Sequence, residues 1–103
     1  MVVAEVAIEP IGTGSPSIGD FVTACVELLT KEKDLKFDVT AMGTIVEGDR
    51  KKVFGVVERM HEKCLQMGAK RVLTELRMDE RVDKPLHMEE MEREVEERLT
   101  RRG

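Results

Sequence analysis

Polar and apolar residues alternate along the first segment of the chain, residues 2–9. Ala4, Val6 and Ile8 share one face, whereas Glu5, Ala7 and Glu9 share the other. A period of two residues predicts a β-strand. Pro10 cannot donate a hydrogen bond to a neighbouring strand, so it is expected to end this strand or to lie at an edge or bulge.

A helix is predicted after the turn-rich segment 12–17. Apolar residues then follow at helical spacing: Ile18, Phe21, Val22, Cys25, Leu28 and Leu29. This pattern predicts a helix that ends at about Lys31. Ser15 or Ser17 could cap its N-terminus, and Asp20 stands at the capping-box distance from Ser17.

Two short strands are predicted in the middle of the chain. Phe37, Val39 and Ala41 alternate with Asp38, Thr40 and Met42, and a third strand follows over residues 44–47. Gly43 lies between them, where a tight connection or a bulge needs a permissive residue. The two strands form either a hairpin or one long bent ribbon.

A second helix and a fourth strand follow. Asp49 is a favourable N-cap, and Gly68 is well placed as a left-handed C-terminal cap. The apolar stripe between them comprises Val53, Val56, Val57, Met60, Cys64 and Met67. Residues 71–78 alternate again and predict a strand.

The C-terminal segment is charged and predicts a last helix. Residues 79–85 form a connector, and Pro85 opens a helix over about residues 86–101. Its apolar side carries Met88, Met91, Val95 and Leu99. Its other side offers three Glu–Arg pairs at a stabilising spacing of four residues: Glu89–Arg93, Glu94–Arg98 and Glu97–Arg101.

This order of elements predicts an α+β fold, a ferredoxin-like β-α-β-β-α-β sandwich with an antiparallel sheet and an extra C-terminal helix. Residues 1–103 form one domain, with a core over about residues 2–79. The two core helices cover one face of the sheet. Ala7 and Leu73, with Met42 and Ile45 in part, would lie on the other face, and an exposed apolar face marks an interface. The last helix covers that face or packs on a neighbouring subunit, so a homo-oligomer is expected.

Composition narrows the possible partners and the location. The chain has no Trp or Tyr and a net charge of −4, which argues against a nucleic-acid partner. It has no apolar run long enough for a membrane span and no signal-peptide pattern at its start. Cys25 and Cys64 fall on apolar helix sides, so they are interpreted as core thiols of a cytoplasmic protein. No Cys/His spacing typical of a metal site is present.

Two clusters could bind a ligand. The loop over residues 12–17 precedes a helix N-terminus, where it either binds an anion or is only a capped turn. Thr40, Met42, Gly43, Thr44 and Glu47 form the second cluster. There a glycine allows close approach to the backbone and a carboxylate suits a cationic ligand, although a bulged hairpin with Glu47 in solvent is the alternative. With two uncommitted histidines and no nucleophile motif, no catalytic residue is predicted and the chain is not expected to be an enzyme.

Residues 9–17 and 40–49 resemble the two signature segments of the thiamine-binding, YkoF-like family. Met60-His61 and residues 68–72 also resemble the pattern of that family. The resemblance covers about residues 2–83, whereas the last helix matches loosely.

The resemblance implies a ferredoxin-like fold that pairs into dimers and then tetramers through sheet faces. It also implies non-catalytic binding of thiamine or its hydroxymethylpyrimidine part, as a carrier or sensor, with no other cofactor. The residues that match the family motif, and so are expected to line or shape the pocket, are Thr13, Ser17, Thr40, Met42, Gly43, Thr44 and Glu47. The alternative is a regulatory oligomeric module that binds a different small effector or an anion at a subunit interface.

Overall fold

The computed structural model describes residues 1–102 of the chain. Its elements, in chain order, are β1 (Val2–Ile11), α1 (Gly19–Thr30), β2 (Lys36–Val39), β3 (Thr44–Gly48), α2 (Arg50–Gln66), β4 (Arg71–Asp79) and α3 (Met88–Arg102). The predicted ferredoxin-like α+β fold with an extra C-terminal helix is therefore confirmed.

The four strands form one antiparallel sheet in the order β2-β3-β1-β4. β1 pairs with β4 along residues 3–11 but with β3 only along residues 2–6. The last part of β1, residues 7–11, therefore has a partner on one side only. We call its unpaired side the free edge of β1. The strand runs through Pro10 and does not end there. The residue lies on the stretch of β1 that has a partner on one side only, which agrees with the predicted edge position, and such a stretch tolerates a missing N–H.

α1 and α2 cover one face of the sheet and enclose an aliphatic core. Its buried members are Val2, Ala4, Val6, Cys25, Leu29, Leu35, Val46, Val53, Val56, Val57, Met60, Cys64 and Ala69. The predicted alternation of β1 is visible here, because the residues of its even-numbered face are the ones that face the helices. The two cysteines are buried free thiols, as predicted, with their Sγ atoms 3.6 Å apart.

The two core helices begin differently. The Asp49 carboxylate accepts hydrogen bonds from the backbone N–H groups of Lys51 at 3.1 Å and Lys52 at 3.3 Å, which confirms the predicted N-cap of α2. The predicted cap of α1 is wrong. Ile18 occupies the N-cap position and no side chain caps it, because α1 begins at Gly19, one residue later than a cap at Ser17 requires.

α2 ends in the predicted glycine cap. Gly68 has a φ of +104°, and its N–H donates to the Leu65 carbonyl at 3.1 Å. The next N–H, that of Ala69, donates to the Cys64 carbonyl at 3.1 Å, which completes a Schellman motif. Met67, predicted as part of the apolar stripe, is instead the exposed C-cap residue.

β2 and β3 form a hairpin, so the bent-ribbon alternative is wrong. β2 ends at Val39, earlier than predicted, and residues 40–43 make the loop. The loop is closed by Thr40, whose backbone N–H and hydroxyl both donate to the Gly43 carbonyl at 2.8 Å.

α3 starts on the sheet face opposite the core helices, which we call the open face. It begins at Met88 and buries no side chain. The predicted ion pairs along α3 are absent, since within residues 1–102 no ion pair shorter than 4.0 Å involves its side chains. No helix in the described part of the chain combines the length and the apolar character that crossing a bilayer requires.

Candidate ligand-binding site

A cavity of about 540 Å³ lies at the free edge of β1. It opens where β1 extends beyond the end of its pairing with β3, and it reaches both faces of the sheet. Its walls come from residues 5–9 of β1, residues 18–26 of the α1 region and the hairpin segment 39–44, with smaller contributions from α2 and β4. Pockets for small ligands commonly have volumes of about 300–1,000 Å³.

Gly43 brings the hairpin loop against β1. A Cβ atom at this position would lie 2.9 Å from the Val6 carbonyl oxygen, closer than side chains are normally tolerated. The φ of Gly43 is not positive, so the close approach alone requires glycine here. The predicted permissive role is therefore explained by packing against the central strand, and this packing shapes one wall of the cavity.

The polar part of the cavity is acidic. Glu5, Glu9 and Glu75 contribute carboxylates, and none of the described lining residues is Lys, Arg or His. Arg77 reaches the Glu5 carboxylate only at 3.9 Å, and its side chain is 87% exposed, so it offsets little of that charge. A cavity lined by charge of one sign favours a ligand of the opposite sign.

The wall that α1 and α2 contribute is apolar and contains one aromatic ring. Phe21 of α1 lines the cavity, together with Cys25 and Cys64. Phe37 packs against the core instead, and Phe54 lies on the exposed side of α2. Phe21 is therefore the side chain placed to stack against a flat ligand.

The Cys25 thiol is not a nucleophile. Burial, followed by the hydrogen bond and proximity of Cys64, raises the pKa of Cys25 to about 12. Because the thiolate is the reactive form, a thiol with this pKa remains protonated and inert at neutral pH.

Four of the seven residues predicted from the sequence meet at the cavity. Thr40, Met42, Gly43 and Thr44 line it along the hairpin loop and the first residue of β3. Met42 is 85% exposed, which places it at the rim, whereas Thr44 is buried. Thr13, Ser17 and Glu47 do not line the cavity in the single chain.

The loop before α1 uses its polar groups internally. The Thr13 hydroxyl donates to the Ser15 carbonyl at 3.0 Å, and the Ser17 N–H donates to the Ser15 hydroxyl at 3.1 Å. The loop adjoins the cavity through Ile18. Anion binding at this loop remains a prediction.

Glu47 lies at the far end of β3 from the cavity, and its carboxylate is held by the start of α3. One oxygen accepts the Met88 N–H at 2.7 Å, and the other lies 3.4 Å from Nδ1 of His87. The side chain is 5% exposed. A carboxylate at a helix N-terminus is favoured by the unpaired N–H groups and by the helix dipole. Glu47 therefore anchors α3 in this chain, and its predicted contact with a ligand remains a prediction.

The histidines belong to structural contacts. His61 on α2 shares a hydrogen bond of 2.6 Å with the Thr74 hydroxyl on β4, and both histidines are half-buried. Within residues 1–102 no three His, Cys, Asp or Glu side chains are grouped as a metal site requires.

Sequence reasoning missed the three cavity carboxylates, and it did not distinguish Phe21 from Phe37 and Phe54 as the ring available for stacking on a ligand. The alternation of β1 already placed Glu5 and Glu9 on one face with Ala7. The missing information was the register with β4, in which Ala7 pairs with Glu75 and brings the third carboxylate beside them.

A ferredoxin-like sandwich with a half-acidic, half-apolar cavity defines a small ligand-binding domain. The family model described as "Thiamine-binding protein" matches residues 4–96, and the chain belongs to this family. The resemblance noted from the two motif segments is thereby confirmed.

Relatives in bacteria and archaea cover nearly the whole chain. The UPF0045 protein YqgV of Bacillus subtilis is 37% identical over 92 residues, which cover 86% of this chain and 88% of that protein. A UPF0045 protein of Methanothermobacter thermautotrophicus is 34% identical over 100 residues, covering 96% of this chain and all of that protein.

Solved structures share the fold. The hypothetical protein MJ1052 of Methanocaldococcus jannaschii has a TM-score of 0.86 at 34% identity, and the match covers 93% of this chain and 96% of that one. A Thermotoga maritima protein, named as a candidate for thiamine biosynthesis or salvage, has a TM-score of 0.73 at 19% identity, covering 89% and 96%. The second likeness supports the fold alone.

Proposed function

We propose that this protein binds thiamine or a related pyrimidine, such as hydroxymethylpyrimidine, without chemical turnover and as a carrier or sensor. The observation that carries the proposal is the composition of the cavity, in which three carboxylates on the open face, without a basic side chain, adjoin an apolar wall with one aromatic ring on the helix side of the sheet. The family description agrees with this ligand class.

The two halves of the cavity suit the two halves of thiamine. The cationic thiazolium is attracted by Glu5, Glu9 and Glu75, whereas the flat aminopyrimidine stacks on Phe21. The pyrimidine also needs donors and acceptors. Hydroxyl groups of the hairpin and the unpaired backbone groups at the free edge of β1 can supply them.

The proposed pocket residues are Thr40, Met42, Gly43 and Thr44, joined by the carboxylates and by Phe21. Thr13, Ser17 and Glu47 remain predictions from the motif match.

Isothermal titration calorimetry with thiamine and with hydroxymethylpyrimidine tests the proposal. We expect saturable binding with a Kd of about micromolar or tighter. Phe21→Leu should weaken both ligands, whereas Phe54→Leu, which changes a ring outside the cavity, should weaken neither. Flat titrations with both ligands on folded protein would contradict the proposal.

We also propose a cytoplasmic homo-oligomer, a dimer of dimers that pairs through sheet faces. Leu73, 46% exposed on the open face, and the exposed apolar side of α3 support self-association. Two free thiols support a reducing compartment.

A further inference from the structure

α3 carries an apolar stripe that the rest of the chain leaves partly exposed. Met91, Val95 and Leu99 are 37%, 56% and 62% exposed, and they recur every four residues along one side of the helix. The helix is held to the domain at its first turn, where the Glu47 carboxylate accepts the Met88 N–H. Isolated helices of about 15 residues are marginal in water, so the stripe needs a partner for α3 to be stable along its length.

The charges of α3 are distributed unevenly from end to end. Residues 89–97 contain six Glu and one Arg, whereas residues 98–102 contain three Arg and no acidic residue. None of these side chains makes an ion pair within 4.0 Å in the described part of the chain. One end of the helix is therefore acidic and the other basic, and no side chain at either end is held in a direct ion pair.

We infer that α3 pairs antiparallel with α3 of a second copy of this chain. An isologous contact needs a self-complementary surface, and a helix with one acidic and one basic end is self-complementary only in the antiparallel orientation. The inference rests on the self-association proposed above and specifies one of its contacts.

The antiparallel arrangement buries the apolar stripes of both helices against each other and places opposite charges side by side. With the two-fold axis near Val95, Met91 of each copy lies level with Leu99 of the other. In the same arrangement Arg98 of each copy lies level with Glu92 of the other, and the basic end of each helix lies beside the acidic end of the other. A parallel arrangement would place the acidic ends together, which is destabilising.

The size of the contact sets its expected strength. Helices of 15 residues are about 22 Å long, at a rise of about 1.5 Å per residue. Such a pair buries less surface than the roughly 1,200–2,000 Å² of stable complexes. The contact should therefore depend on protein concentration and weaken with added salt.

Sedimentation velocity on the full-length chain over a range of concentrations tests the inference. Val95→Glu should weaken association about tenfold or more. Its control is Arg93→Gln, which changes the net charge equally on the opposite side of α3.

Glu92→Arg and Arg98→Glu should each weaken association, and the double variant should restore it because opposite charges again lie at the same level along the two helices. Glu27→Arg on α1 is the control for charge reversal, and circular dichroism verifies that each variant is folded.

The outcomes distinguish failure of the α3 pairing from failure of the proposed self-association. A wild-type chain that stays monomeric at all concentrations overturns both the α3 pairing and the proposed self-association. A wild-type oligomer that is indifferent to Val95→Glu and to both reversals overturns the α3 pairing alone. Loss of association in Val95→Glu with both reversals neutral, or a double variant weaker than either single one, overturns the antiparallel arrangement.

Discussion

Gly43 shows how one absent side chain can set the shape of a cavity. Its Cα approaches the central strand so closely that an added methyl group would meet the Val6 carbonyl oxygen at 2.9 Å. The obstacle is backbone, which cannot rotate aside as a side chain can. The hairpin loop must then move away from β1, and the cavity wall moves with it.

We predict that Gly43→Ala lowers the free energy of unfolding by about 1–3 kcal/mol, the usual cost of overpacking. Gly55→Ala is the matched control. A Cβ there meets only the Arg59 guanidinium at 3.6 Å, and alanine is the better helix former by about 0.5–1 kcal/mol. Urea denaturation of both variants tests the difference. Equal stability of the two variants would show that the close approach is not costly.

Cys25 links burial to behaviour in alkaline solution. Its folded-state pKa of about 12 lies above the ordinary value of 9.0. The thiol therefore contributes stability that is complete below pH 9.0 and is lost as the pH rises toward 12. The midpoint temperature of thermal unfolding should fall as the pH rises through this range, and it should fall by less in Cys25→Ala.

Ellman's reagent at neutral pH should modify neither thiol before unfolding, and rapid labelling of the native protein would contradict the burial argument.

At the scale of the elements, α3 depends on a residue of a distant strand. The Glu47 carboxylate belongs to β3, yet it supplies the acceptor for the first turn of α3. We predict that Glu47→Ala frays this helix at a cost of about 1–2 kcal/mol, typical of a lost cap. Circular dichroism and hydrogen exchange at Met91, whose N–H bonds to the His87 carbonyl, would detect the change.

The same variant separates the two roles considered for Glu47. Fraying of α3 with unchanged thiamine affinity would assign the carboxylate to the helix. Lost affinity with α3 intact would support the ligand contact predicted from the motif. Glu90→Ala, an exposed carboxylate on α3 itself, controls for the change in charge.

Periodicity and caps were sufficient to predict the elements, but not the relation between distant ones. The alternation of residues 2–9 and the Asp49 and Gly68 caps predicted β1 and α2 because these signals are local. The roles of Glu5, Glu75 and Glu47 depend on the register of β1 with β4 and on where the chain returns over the open face. Those relations arise from contacts between distant segments, which a single sequence does not encode locally.

At the scale of the whole molecule, charge should decide which half of the ligand is recognised. Glu5→Gln and Glu75→Gln remove carboxylates from the cavity while preserving side-chain size. We predict that each weakens thiamine binding by about two- to tenfold, or about 0.4–1.4 kcal/mol, and leaves the binding of hydroxymethylpyrimidine, which lacks the thiazolium, unchanged. Calorimetric titration of both ligands, with Glu90→Gln as the control, measures the difference. An equal loss for both ligands would contradict the assignment of the carboxylates to the thiazolium.

The position of β1 at the centre of the sheet also governs how the chain can fold. Its partners in β4 lie sixty or more positions away in sequence, so this pairing closes the largest loop in the domain. Contacts of such high sequence separation slow folding. During synthesis β1 remains without its β4 partner until residue 79 has left the ribosome, and the sheet can close only then. The strand made first is thus among the last to be completed, and variants in β1 should alter the yield of folded protein more than equally buried variants in α2.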